Sequence, residues 1–127
     1  MSQTNFPIGD YLIRIKNMAQ AKGSLVTDRA TNKRVAIAKA LEKAGFVENV
    51  KVIKGILTLN IRFSHKSPIL MDIKLVSKPG KRVYFKLDDI EAKKGPSTYL
   101  VSTPKGILTS KELKKLGIGG EVIAEIW

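Results

Sequence analysis

The period of the hydrophobic pattern changes at Gly45, and that change limits the folds open to this chain. Before it, apolar residues recur at helical spacing. Ile8, Leu12 and Ile15 fall at i, i+4 and i+7, widened by Tyr11 and Ala19, and predict an amphipathic helix from Pro7 to Gln20. Ile37, Leu41 and Ala44, with Val35 and Ala38, predict a second helix over 32–44 that Gly45 stops. After Gly45 the period falls to two. "FVENVKVI" and "ILTLNIRF" read as a hairpin about Lys54-Gly55, and "ILMDIKLVS" as a third strand with Ile69, Met71, Ile73 and Leu75 on one face. Between the helices, "AKGSLVTDRATNK" reads as a loop with a short strand at Leu25–Val26.

Pro79-Gly80 interrupts this pattern and marks the expected subdomain joint. Beyond it, "KRVYFKL" reads as a strand, "DDIEAKK" as a helical turn and "TYLVS" as a strand. Thr109 and Glu112 have capping-box spacing, so a short helix is expected over 110–116, closed by Gly117. "EVIAEIW" alternates and should form a last strand. The expectation is an α+β fold of two small packed subdomains. Residues 1–77 put two helices on a three-stranded sheet, and 78–127 form a mainly β unit with one capped helix.

Charge narrows the function. Of 127 residues, 23 are Lys or Arg and 11 are Asp or Glu, a net +12, and both halves carry a surplus of cations. A field of that sign attracts polyanions, with nucleic acid ahead of an anionic membrane surface. There is no cysteine and one histidine, so a thiolate metal site is excluded and any other metal site or triad would have to be built from carboxylates. His65 reads as a loop residue. Asp88, Asp89 and Glu91 suit the first turn of a helix better than a Mg²⁺ site. "GKRVY" and "PKGILTSK" lack the glycine spacing of a phosphate-cradling loop. No catalytic residue, metal ligand, cofactor or small-molecule substrate is expected. The first residues lack a signal-peptide core and no run is of membrane-spanning length, so a soluble protein without a membrane partner is expected.

The run Ser102-Thr103-Pro104-Lys105-Gly106 offers two hydroxyls, a stiff proline, a cation and a glycine that admits a close backbone. It suits a sugar-phosphate backbone, and equally a solvated turn. Nearby in the same unit stand Gly119-Gly120-Glu121, Arg82 and Tyr84, whose ring can stack on a base or sugar. Glu121 repels phosphate and suits a role in holding the loop's shape. Arg14 and Lys16 of the first helix read individually as a solvated face.

Three segments together, "PIGDYLIRIKN", "VSKPGKRVY" and "STPKGILTSKELKKLGIGGEVIAEIW", resemble the bacterial-type small-subunit ribosomal protein eight family over most of the chain. The resemblance implies a structural, non-enzymatic component of the small ribosomal subunit. Such a protein binds the central domain of the ribosomal RNA directly and aids its folding and subunit assembly. It implies RNA contacts at Ser102, Thr103, Pro104, Lys105, Gly106, Gly119, Gly120 and Glu121, with Arg82 and Tyr84 nearby and backbone contacts from Arg14 and Lys16. Neighbouring ribosomal proteins are implied partners, the protein's own messenger RNA a further one, and a ribosome of the cytoplasm or an organelle the location. Pro104 stands where the family usually has a second serine, "GPSTYL" lacks the usual glycine-rich lead-in, and Leu113 replaces a common alanine. Altered local contacts at the same site are expected.

Overall fold

The computed structural model describes residues 7–93 and 95–127. In chain order they form α1 (Pro7–Gln20), β1 (Leu25–Arg29), α2 (Asn32–Ala44), β2 (Val47–Ile53), β3 (Ile56–Ile61), β4 (Phe63–Ser64), β5 (Ser67–Pro68), β6 (Ile73–Leu75), β7 (Tyr84–Phe85), α3 (Leu87–Ala92), β8 (Thr98–Thr103), β9 (Gly106–Thr109), α4 (Ser110–Leu116) and β10 (Gly120–Ile126). The architecture is α+β, with a mainly β C-terminal unit as expected.

Helix ends are set locally. The Thr31 hydroxyl accepts from the Arg34 N–H at the start of α2, and Gly45, at φ +89°, returns its N–H to the Glu42 and Leu41 carbonyls at the end. In α4 the capping box is closed on both sides: Thr109 Oγ1 accepts from Glu112 N–H, and Glu112 Oε1 accepts from Thr109 N–H at 3.0 Å.

Strand partners depart from the expectation. The N-terminal sheet has the order β1-β3-β2, so its third strand is β1, extended to Arg29, and not the 69–77 segment. That segment bends away. Leu70 is buried and Met71 is exposed, breaking the expected face. The Met71 and Asp72 N–H groups both donate to the Trp127 carbonyl, at 2.7 and 3.0 Å. The part that remains extended, β6, pairs antiparallel with β10. The physical reason is that both edges of β3 are already occupied, while β10 offers an open edge beside the apolar Ile73. "KRVYFKL" yields only β7, because Lys78 and Lys81 bridge across Pro79-Gly80 and consume the first residues as a turn.

The C-terminal sheet runs β6-β10-β8-β9, with β7 also on β10. Its pairing shifts between Val122 and Ala124, leaving Ile123 as the extra residue of a bulge. The bulge reverses parity along β10. Val122 packs with Ile90, Val101 and Leu113 under α3 and α4. Ile123, Ala124 and Ile126 enter the larger core with Leu12, Ile15, Ile37 and Leu41 of α1 and α2. The expected simple alternation of "EVIAEIW" therefore fails, and the larger core runs continuously from the N-terminal helices into the C-terminal sheet. Lys43 of α2 also reaches Glu112 of α4 at 3.1 Å.

Candidate nucleic-acid interface

The Ser102–Gly106 run is a β-hairpin tip. Thr103 pairs with Gly106, leaving a two-residue loop of Pro104 and Lys105. Proline cannot take positive φ, so the loop cannot be the mirror-image turn that matches strand twist. Gly106, at φ +111°, takes up the mismatch. A side chain then locks it: Thr103 Oγ1 donates to the Gly106 carbonyl at 2.8 Å and accepts from the Lys105 N–H at 3.1 Å. Thr103 is buried and its hydroxyl fully engaged, whereas Ser102 is half-buried and no hydrogen bond engages its hydroxyl among the described residues. Pro104 and Lys105 are exposed at the tip.

Gly119 and Gly120 are there because two backbones pass against them. A Cβ on Gly119 would lie 2.2 Å from the Phe85 carbonyl oxygen, and one on Gly120 would lie 2.4 Å from that of Ser102. No larger residue fits without moving β7 or β8. This contact seats Glu121 directly opposite both Ser102 and Tyr84 in the sheet register. Arg82 Nη1 meets Glu121 Oε2 at 3.3 Å, holding the carboxylate at the mouth of the site.

A cleft of about 500 Å³ opens in front of these residues. One wall is Ser102, Thr103, Gly106, Arg82 and Glu121; the other is the start of α2, with Asn32, Lys33 and Ala36, and Ile8 of α1. Ile107, Ile123 and Ser77 also line it. Ser77 is buried, its Oγ accepting from the Val83 N–H and donating to the Val83 carbonyl, which fixes the chain just after Arg82. The first turn of α2 carries no acidic residue, and only the Thr31 hydroxyl caps it, at the Arg34 N–H, so the positive end of the helix keeps N–H groups for an anion.

Sequence reasoning missed Asn32, Lys33, Ser77 and Ile8. A helix cap followed by Asn-Lys-Arg with no acid was the only signal for the α2 wall. The structure gathers Ser102, Thr103, Gly106, Arg82 and Glu121 around one cleft, sets Pro104 and Lys105 at the adjoining hairpin tip and Gly119 and Gly120 behind it, and places Tyr84, Arg14 and Lys16 outside it. Tyr84 is exposed on β7 and lines a separate groove with Phe85, Asp89, Ala92 and Lys93. Arg14 pairs with Asp28 at 3.0 Å, and Arg34 shares that carboxylate at 3.4 Å. Both cations sit by Tyr11, whose phenol is pushed up to about 12 by burial and then by Asp28, against the two arginines. Lys16 pairs with Asp72 at 3.2 Å, tying α1 to the segment before β6.

The residues weighed for catalysis have structural work. Asp89 Oδ2 accepts the Lys86 N–H at 2.9 Å at the head of α3. His65, at φ +61°, turns the chain between β4 and β5. Among the described residues no three His, Asp or Glu side chains gather as metal ligands would.

Fold and site together define a class: a small, strongly basic α+β protein with a polar cleft between a braced hairpin and a helix start. The family model for ribosomal protein S8 matches residues 6–127 of the chain. The small ribosomal subunit protein uS8 of Geobacter metallireducens is 44% identical over 133 residues, covering 100% of both chains. Those of Citrifermentans bemidjiense and Streptococcus thermophilus are 40% and 39% identical, each covering 95% of this chain and 96% of the relative. The chain belongs to the ribosomal protein S8 family, a family of structural ribosomal proteins and not of enzymes.

Proposed function

We propose that the protein is a structural constituent of the small ribosomal subunit that binds the central domain of the ribosomal RNA through the hairpin–α2 cleft. In doing so it helps that RNA fold and the subunit assemble, within cytoplasmic ribosomes. Residues 78–127 carry most of the contact, and 1–77 supply the second wall and a scaffold that meets neighbouring ribosomal proteins. The observation that carries this reading is the cleft itself, which sets hydroxyl, acceptor and cation groups opposite the positive end of α2, whose first turn holds no acidic residue.

The roles divide by chemistry. Lys105, Lys33 and the α2 N–H groups suit phosphate. Ser102, with its hydroxyl unengaged, suits a ribose or an exposed base edge. Glu121 rejects phosphate and accepts hydrogen bonds, so the group facing it is a donor, either a 2′-hydroxyl or a base amino group. Thr103, Gly106, Gly119 and Gly120 position these groups. Tyr84, Arg14 and Lys16 lie outside the cleft and make peripheral contacts.

The test is equilibrium binding to a central-domain ribosomal RNA fragment and to a base-paired RNA of equal length across a salt series. A preference for the ribosomal fragment that persists at high salt is expected. Equal affinities that collapse together would reduce the protein to a general polyanion binder.

A further inference from the structure

On the opposite face of the C-terminal sheet lies a second concavity of about 310 Å³, walled by Lys93, Gly95, Ser97, Ser110, Lys111 and Lys114. Its floor is Ile90 and Tyr99, which pack in the smaller core, whereas Ile107 and Ile123 of the hairpin cleft belong to the larger one. The two sites are therefore separated by the sheet.

Its chemistry differs from that of every other cleft described above or adjoining it. The hairpin cleft holds Glu121, the α1 groove Asp10, the groove beside Lys43 Glu112, and the Tyr84 groove Asp89. Among the described residues this one is lined by three lysines and several hydroxyls and no carboxylate, although Lys93 and Lys111 also border the neighbouring grooves that hold Asp89 and Glu112. None of the three lysines has a carboxylate partner among the described residues.

Local structure orders the groups. The Lys93 ammonium lies 5.0 Å from the Phe85 ring centroid and 6.0 Å from that of Tyr99. Those rings meet edge to face at 5.6 Å. The lysine is thereby held in place without being neutralised. Lys114 Nζ leans on the Lys93 carbonyl at 3.5 Å. Ser110 Oγ accepts the Tyr99 N–H at 3.2 Å, which leaves its own hydrogen to donate into the concavity. Glu125 reaches the Tyr99 hydroxyl beneath the floor, so the donors left to face the concavity are ammonium N⁺–H and serine O–H groups, a set that takes a tetrahedral oxyanion.

We propose that this concavity is a second phosphate site, holding a backbone phosphate of an RNA segment distinct from the one in the hairpin cleft. The inference rests on the RNA-binding reading above. It makes the C-terminal sheet a rivet between two RNA segments. When both belong to one RNA, the second contact forms at high effective concentration and adds to affinity without affecting the first.

The test uses the full chain with Lys111→Gln/Lys114→Gln, and Lys39→Gln/Lys66→Gln as a charge-matched control on exposed sites elsewhere. Each is titrated with the short central-domain fragment and with whole small-subunit RNA across a salt series. For the pocket variant on whole RNA, the slope of log affinity against log salt should shrink by about 1 to 2, with roughly tenfold weaker binding near 0.1 M salt. Its binding to the short fragment should match that of the control. An unchanged slope on whole RNA overturns the proposal, and so does an equal loss on both RNAs matching that of the control, since only net charge would then be at work. Failure of the RNA reading is separate: the unmodified protein would show no preference for ribosomal RNA at all.

Discussion

Two hairpins of this molecule have the same loop length and solve the turn differently. In β2–β3 the loop is Lys54-Gly55, both at positive φ (+50° and +79°), as the twist-matched mirror-image turn requires. Its backbone suffices, and the flanking Ile53 and Ile56 are left exposed. In β8–β9, Pro104 forbids that turn, and the tip depends on Gly106 and on two hydrogen bonds to Thr103. A hairpin that serves only to join strands can rely on local backbone preference. One that must present particular groups at a cleft is braced by a side chain and by the neighbouring β10 backbone.

The largest effect expected from this contrast is at the glycines behind the second hairpin. Gly119→Ala or Gly120→Ala forces a Cβ into a carbonyl oxygen, and each should cost about 3 kcal/mol of stability in urea unfolding. Binding to the ribosomal fragment should fall with it. Gly55→Ala meets no neighbour and pays only for its positive φ, about 1 kcal/mol, with RNA binding untouched. Equal costs at the two hairpins would erase the distinction between them.

Next in size is the brace. Thr103→Val removes both hydrogen bonds at the tip at nearly constant volume and should lower stability by about 1 to 2 kcal/mol. Ser102→Ala should leave the unfolding midpoint in place and weaken RNA binding by about 1 kcal/mol, roughly fivefold. If the two substitutions exchange these signatures, Thr103 is the contact and Ser102 the support.

The return strand β9 leads straight into α4, so its cap also guards the hairpin. Thr109→Ala should cost about 1 kcal/mol in thermal or urea unfolding. The smallest effect is that of pH. Burial opposes ionisation of Glu112, but the Thr109 N–H and Lys43 outweigh it and hold the carboxyl below its ordinary value of 4.5. A carboxyl depressed in the folded state stabilises above its unfolded value, and that stability is lost as pH falls through the folded value. The stability difference between the unmodified protein and Glu112→Gln should therefore narrow as pH falls from about 6 to about 3. A difference that stays constant with pH would show that the capping geometry alone, without the charge, secures α4 to the second hairpin.

Legibility in the sequence followed the distance over which each feature is decided. The bounds of α1 and α2, the capping box of α4 and the glycine stops were readable because each depends on residues within one turn. β9 was not expected as a strand, since "GILT" is too short to show a period and is held extended by pairing with β8. The 69–77 segment was misassigned because alternation reports that a strand has a buried face, never which sheet it faces. At the site, the hairpin residues and the paired glycines stood out by composition. The α2 wall did not, because Asn32 and Lys33 acquire meaning only beside Ser102, seventy positions away.

By itself, then, the sequence determined the helices, their ends, the turn residues and the basic charge, all of which arise from local backbone preference or simple addition. The tertiary structure decided that β6 joins β10, that the Ile123 bulge turns one strand toward two cores, and that hairpin and helix start face each other across a cleft. Those outcomes depend on which apolar faces and open strand edges meet when the whole chain excludes water, a competition among distant segments that no short stretch of residues records.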